Sequence, residues 1–279
     1  MRKAEQIPSL MGRGARQVIV ILATLLSLFP IYFMIVSAFK SKDAYMANKW
    51  GLPTTLNFDN FATAFSGGKF YLRFANSIIL TVGAVGISLM IACLAAYAFA
   101  RMDFRWKRSL FNLFISLMIV APVVLIVPLF VTMVQWNLVN TYQGVIFIYT
   151  GLMLPFSTYL MTNFFRTIPR EIVDAALIDG ASNFSIFWRI FMPLSAPAVM
   201  TLIVVNALWV WNELLIALVF LQKDELKTLM VGIAALRSRN YVDIPATMAG
   251  LLIATIPIVV LYLFSQKYFI RGLVSGAVK

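Results

Sequence analysis

Arg166-Thr-Ile-Pro-Arg-Glu-Ile-Val-Asp-Ala-Ala-Leu-Ile-Asp-Gly-Ala-Ser-Asn-Phe-Ser-Ile-Phe-Trp-Arg-Ile-Phe-Met-Pro193 stands between two long apolar runs, 142–165 and 196–221. Pro169 suits the first turn of a helix, where its missing N–H costs nothing. Glu171 and Asp174 complement the positive end of that helix's dipole. Gly180 suits the left-handed residue that closes a helix, and Ser182 can cap a second one running toward Pro193. The stretch therefore predicts a short helix, a glycine turn and a second helix leading back into apolar sequence. Ala175 and Ala176 strip away side-chain bulk, and Ile172, Ala176 and Asp179 share one helical face. Two roles fit these residues equally. With Phe184, Phe187, Trp188 and Arg189 the stretch can lie on lipid headgroups, or its bare backbone can seat against a partner.

Outward from this loop the chain is apolar almost throughout. Of its 279 residues 61% are hydrophobic and 12% charged, against about a quarter charged in a soluble domain. A bilayer core takes about 20 apolar residues to cross. Six stretches qualify: 18–38, 74–100, 110–136, 142–165, 196–221 and 246–264. The fold class expected is all-α and integral to a membrane. Around the spans lie an N-terminal tail 1–17, an external segment 39–73, a cytoplasmic loop 101–109, the cytoplasmic loop 166–195, an external loop 222–245 and a tail 265–279. Pro30, Pro122, Pro128, Pro155 and Pro257 fall inside spans, as kinks or as local packing features. The first span is too long for a secretory signal, whose apolar region runs to about 7–15 residues.

The net charge of +12, with 23 basic and 11 acidic residues, has no folded polar domain to cluster on, which excludes nucleic-acid binding. It reads instead as topology. Four basic residues precede the first span, four lie in 101–109 (Arg101, Arg105, Lys107 and Arg108), three in 166–195 and three in the tail. The other side carries nine, spread through longer loops where the positive-inside rule weakens. Both termini are therefore expected in the cytoplasm of a bacterial-type inner membrane.

The chain has no histidine, and Cys93 is its single cysteine; zinc, haem and histidine acid–base chemistry are poorly served by such a sequence. A phosphate-cradling loop is missing too, since Gly68-Lys69 is followed by Phe70 and lacks the earlier glycine. No cofactor is expected in this chain.

Asp174-Ala175-Ala176, then Gly180, Ile190 and Pro193, resemble the EAA loop of binding-protein-dependent ABC importer permeases, with Asp174 where the family usually has Glu. Asn76-Ser77, Ala100-Arg101, Trp211-Asn212-Glu213 and the tail Gln266-Lys267-Tyr268-Phe269-Ile270-Arg271-Gly272-Leu273 followed by Gly276-Ala277-Val278-Lys279 are similar to the carbohydrate branch of that family, to which the smaller permease of maltose importers belongs. The resemblance implies a six-span type I permease fold in which 166–195 is a coupling helix for a cytoplasmic ATPase dimer. It further implies ATP and magnesium on that ATPase, a second homologous permease, an extracytoplasmic solute-binding protein and a sugar as solute. ATPase coupling then falls to Glu171, Asp174, Ala175, Ala176, Asp179 and Gly180.

Glu213 is the acid set well inside an apolar span, where ionisable groups are costly and face a cavity or a partner. It either lines the solute path with Asn212, Trp209 and Trp211, or pairs within the protein while the tryptophans mark an interfacial belt. Asn206, Asn76 and Tyr149 are weaker path candidates, and interhelical hydrogen bonding is their other role. Ala84, Ser88, Ala92, Ala96 and Ala100 recur every four residues and predict a close helix–helix seam. The rival to an importer subunit is an autonomous six-span carrier. It would use paired intramembrane charges, and here no buried base answers Glu213.

Overall fold

A computed structural model of the chain describes residues 10–65, 69–238 and 241–277. Arg2, Lys3, Gly67, Gly68, Arg239 and Lys279 lie outside these, as do the side chains of 10–13, 237–242 and 267–277, which include Lys267 and Arg271 of the tail motif. The helices are α1 (Leu10–Ala38), α2 (Lys42–Ala47), α3 (Asp59–Phe65), α4 (Phe70–Arg101), α5 (Lys107–Ser116), α6 (Pro122–Gln135) and α7 (Tyr142–Thr167). They continue with α8 (Arg170–Ile178), α9 (Asn183–Ile186), α10 (Met192–Leu194), α11 (Ala196–Asn212), α12 (Leu215–Phe220), α13 (Leu229–Ala234) and α14 (Ile244–Ala277). A two-residue antiparallel pair, β1 (Arg237–Ser238) with β2 (Tyr241–Val242), precedes α14.

The described residues form two compact units, one within Met1–Gly67 and Ile233–Ile253 and one within Gly68–Gly232 and Ala254–Lys279. In the first, the Lys40 side chain is buried at 1% exposure and donates to the carbonyls of Asn48 (2.7 Å) and Lys49 (3.3 Å). Asn60 donates to the carbonyls of Ala38 and Lys40, so the segment after α1 is folded on polar contacts. In the second unit the α4–α7 pair is the spine. Ala84, Ser88, Ala92 and Ala96 are all buried, the first packed among Val145, Ile148 and Tyr149 and the last among Met161 and Phe165. The four-residue stripe is thus a seam inside this chain. Between apolar helices in lipid such approach gains van der Waals contact rather than released water. α11 packs on both helices, and Asn206 donates to the Ser157 hydroxyl at 2.9 Å.

Among the described residues, four helices are each long and apolar enough to cross a membrane: Gly14–Ala38, Phe70–Arg101, Tyr142–Thr167 and Ile244–Gln266. Two bent pairs bring the number to six, Lys107–Ile119 with Pro122–Gln135 at 102° and Asn183–Leu194 with Ala196–Asn212 at 76°. Hydropathy predicts one run over 110–136, but the chain turns sharply inside it. Pro122 forces Ala121 out of the helical region (ψ 130) and opens α6. Hydropathy also predicts 196–221 as one span, whereas α11 stops at Asn212 because Glu213 takes an extended conformation (ψ 126). Pro30, Pro128, Pro155 and Pro257 lie inside continuous helices.

The seam makes Ala92 intolerant of bulk. Ala92→Phe is expected to lower stability by about 1–3 kcal/mol through overpacking, read as a drop in the apparent Tm of the purified chain. Leu94→Phe, on an exposed part of the same helix, should leave it unchanged.

Candidate functional site

The loop between α7 and α11 is built as its residues direct. Pro169 is the residue before α8 (φ −56), and Glu171 lies in the first turn. At the other end Gly180 takes φ 78. The Ala181 N–H reaches the Ala176 carbonyl at 2.9 Å and the Gly180 N–H that of Leu177 at 3.0 Å, the pair of bonds that closes a helix through a left-handed residue. Ser182 caps α9 by accepting from the Ser185 N–H at 3.2 Å. Phe187–Phe191 then forms a π turn, a widening that recurs where helices serve a function.

Burial sorts the faces of α8. Val173 and Ala176 turn inward onto a cluster of Tyr97, Phe165, Ile186, Phe187 and Phe191. Glu171, Asp174, Ala175, Asp179 and Gly180 are exposed, as are Ile172, Leu177 and Ile178, the last at 86%. Ala176 shares the side of α8 that carries Ile172 and Asp179, and lies at its edge, half-buried against the cluster. A Cβ added at Gly180 would meet nothing of this chain within 4 Å. The loop's base is aromatic: Phe191 lies edge-on to Tyr97 of α4 (4.9 Å between centroids) and to Phe165 of α7 (5.2 Å).

One residue that the sequence offered as a topology charge and as part of the Ala100-Arg101 resemblance organises this region. Arg101, the last residue of α4, donates through Nη2 to the Phe165 carbonyl at 2.7 Å and to the Ile168 carbonyl. Its guanidinium lies 5.0 Å from the Phe191 ring centroid. The available signal was a cation at a helix end, where free carbonyls collect.

The path candidates separate. Glu213 is half-buried and accepts three hydrogen bonds, from the Ile216 N–H (2.9 Å), the Ala217 N–H (3.0 Å) and the Tyr149 hydroxyl (2.7 Å). It closes the start of α12, which the helix break would otherwise leave with bare donors. Tyr149 is buried, and Trp209 stands edge-on to it at 5.6 Å. Trp211 is buried with its indole N–H on the Ala254 carbonyl at 3.1 Å, so its ring offers no free face. Asn76 is buried and holds the loop 224–229. It donates to the carbonyls of Glu225 (2.8 Å) and Lys227 (3.0 Å) and accepts from the Tyr142 hydroxyl at 2.6 Å. Asn206 is spent on Ser157. Glu213, Asn212 and Trp209 keep accessible surface.

Sequence reasoning passed over two further ties around that loop. Asn140, at φ 58, accepts from the N–H groups of Gln222 (2.6 Å) and Lys223 (3.0 Å). Asp224 gathers Lys69 (2.5 Å), Lys227 (2.9 Å) and Arg73 (3.9 Å). Hydrogen bonds from Lys69 and then Lys227 hold its carboxyl well below the usual carboxylate range. A carboxyl depressed in this way stabilises the fold above the ordinary range of about 4, and the tie is lost only as pH falls below it. Among the described residues no three Cys, Asp or Glu side chains converge as metal ligands would.

A helical chain with six potential crossings and a rigid, partly apolar platform between two of them is a membrane transport subunit. Residues 72–275 match the family described as the inner membrane component of binding-protein-dependent transport systems, and the chain belongs to it. The melibiose/raffinose/stachyose import permease protein MelC of Bacillus subtilis (strain 168) is 37% identical over 251 residues, 90% of this chain and 91% of that one. The probable ABC transporter permease protein YurM of the same strain is 35% identical over 251 residues, 90% and 83% of the two chains. A solved bacterial ABC transporter involved in the import of the acidic polysaccharide alginate contains a chain that superposes with a TM-score of 0.81 at 25% identity, covering 94% of this chain and 99% of that one. The fold is that of an ABC importer permease, and nothing in these likenesses favours an autonomous carrier.

Removing the Glu213 cap should be measurable. Glu213→Ala is expected to speed hydrogen exchange at the Ile216 and Ala217 amides by the equivalent of about 1–3 kcal/mol. Uptake should fall while the assembled complex stays intact. Unchanged exchange would contradict the cap.

Proposed function

We propose that this permease is one of two homologous subunits of an ATP-driven importer for a sugar or sugar derivative, fed by an extracytoplasmic solute-binding protein. The observation that carries the reading is the platform of α8. It is anchored from below by Val173 and Ala176, closed by Gly180, and exposes Ile172, Leu177 and Ile178 beside Glu171, Asp174 and Asp179. An exposed apolar patch rimmed by acids fits a protein partner. The partner is an ATPase dimer that holds ATP and magnesium, since this sequence has no phosphate loop of its own.

The sugar follows from relatives named for melibiose, raffinose and stachyose import and for arabinooligosaccharide transport. Both termini lie in the cytoplasm on this reading, supported by the basic residues concentrated in the short connections. The external segment 39–73 faces the binding protein. Closure of the ATPase dimer moves α8, and the permease pair rocks between inward- and outward-facing states. Glu213, Asn212 and Trp209 line the path, the carboxylate held ready by Tyr149.

Gly180→Asp tests the docking role. No described atom of this chain lies within 4 Å of a Cβ built there, so the effect is expected on the left-handed turn and on the partner. Membrane insertion should persist, while solute-stimulated ATP hydrolysis in the assembled complex is lost. Normal stimulated hydrolysis would remove the loop from coupling.

A further inference from the structure

We infer that Arg101 is a positioning residue that carries displacement of α8 into α4 and so to the external loop at the far end of that helix. The inference rests on the reading of α8 as the ATPase-coupling element.

The two carbonyls that Arg101 holds lie on either side of a joint. Phe165 is in the last turn of α7, and Ile168 immediately precedes Pro169, the residue that leads into α8. Pro169 has its φ locked by the ring. With Ile168 held by the guanidinium, α8 has little freedom to swivel on α7. The exit of the loop reaches the same group, because Phe191 of the π turn lies under the guanidinium at 5.0 Å. Entry and exit of the loop thus converge on one planar cation at the end of α4. A planar fork can donate and stack at once, which an ammonium cannot do.

α4 then runs 32 residues without a break, about 48 Å at the usual rise. At its outer end Asn76 grips the carbonyls of Glu225 and Lys227, and the Ser77 hydroxyl accepts from the Leu229 N–H at 2.9 Å. Lys69 and Arg73 at the same end hold Asp224. The external loop 224–229 is therefore fastened to the rod whose other end is fastened to α8. Displacement on either face of the membrane is felt on the other.

The test uses the complete importer in proteoliposomes. The background is Cys93→Ala, which removes the single, buried cysteine, with Ile178→Cys as a cross-linking handle to the ATPase. Arg101→Gln, Arg101→Lys and Phe191→Leu are compared by cross-link yield and by the ratio of binding-protein-stimulated to basal ATP hydrolysis. In Arg101→Gln the ratio should fall about tenfold, the scale of one charge-assisted hydrogen bond, with cross-linking preserved. Arg101→Lys should not rescue it, and Phe191→Leu should lower it in the same direction. A full ratio in Arg101→Gln overturns the inference, as does rescue by lysine. Cross-linking lost together with the ratio overturns it too, because Arg101 would then only shape the loop. Should Arg101→Gln fail to assemble, Arg101→Lys decides alone. Absence of cross-linking from Ile178→Cys in otherwise wild-type permease is a separate result and sinks the coupling reading itself.

Discussion

In an apolar surrounding, every N–H and C=O freed where a helix stops must find a partner inside the protein. This chain stops its helices often, and its scarce polar side chains stand where they stop. Arg101 covers the carbonyls at the end of α7, Glu213 covers the amides at the start of α12, and Asn140 covers those just past its end. Ser182 and Gly180 do the same service inside the loop. The architecture is a set of broken apolar rods, and the breaks after α7, before α12 and after α12 are each held by a named side chain.

That pattern explains what could be read from sequence. The loop was legible because its signals are local: Gly180 turns left-handed, Ser182 caps its own helix, and Glu171 sits in the first turn. The stripe Ala84, Ser88, Ala92 and Ala96 was legible because a period of four fixes one face. The breaks were not. Hydropathy does not sense direction, so 110–136 and 196–221 read as straight spans although the chain bends by 102° within the first and leaves the helix at Glu213 in the second. The intramembrane polar residues were harder still. Glu213 meets Tyr149 across 64 positions and Asn76 meets the loop 224–229 across about 150, separations that no local pattern encodes. Asn76 and Asn206 stood as path candidates or as interhelical hydrogen-bonding groups, and Trp211 as a path or interfacial residue; the fold buries each of them in an internal hydrogen bond. Ala176, expected on the docking face, lies at the edge of that face, half-buried against the aromatic cluster.

The same accounting bears on mechanism. A loop that hung from flexible ends would absorb a partner's movement. Here the loop is seated on Tyr97, Phe165, Phe187 and Phe191, with Tyr97 edge-on to both Phe187 and Phe191. Aromatic contacts of this kind add about 0.5–1.5 kcal/mol each beyond burial. Interfaces packed in this way shift between discrete arrangements instead of deforming. The loop, the Arg101 end of α4 and the Phe165 end of α7 are packed as one body.

That single body is the centre of the account, and one distance tests it. Spin labels at Ile178 of α8 and at Met102, the residue just past α4, both exposed positions, report the separation within this chain as the assembled importer passes from the nucleotide-free to the ATP-trapped state. The separation should stay the same in both states while the permease as a whole rearranges. A change approaching one helical turn, about 5 Å, would mean that the loop moves on a hinge of its own, and the rigid connection described here would be wrong.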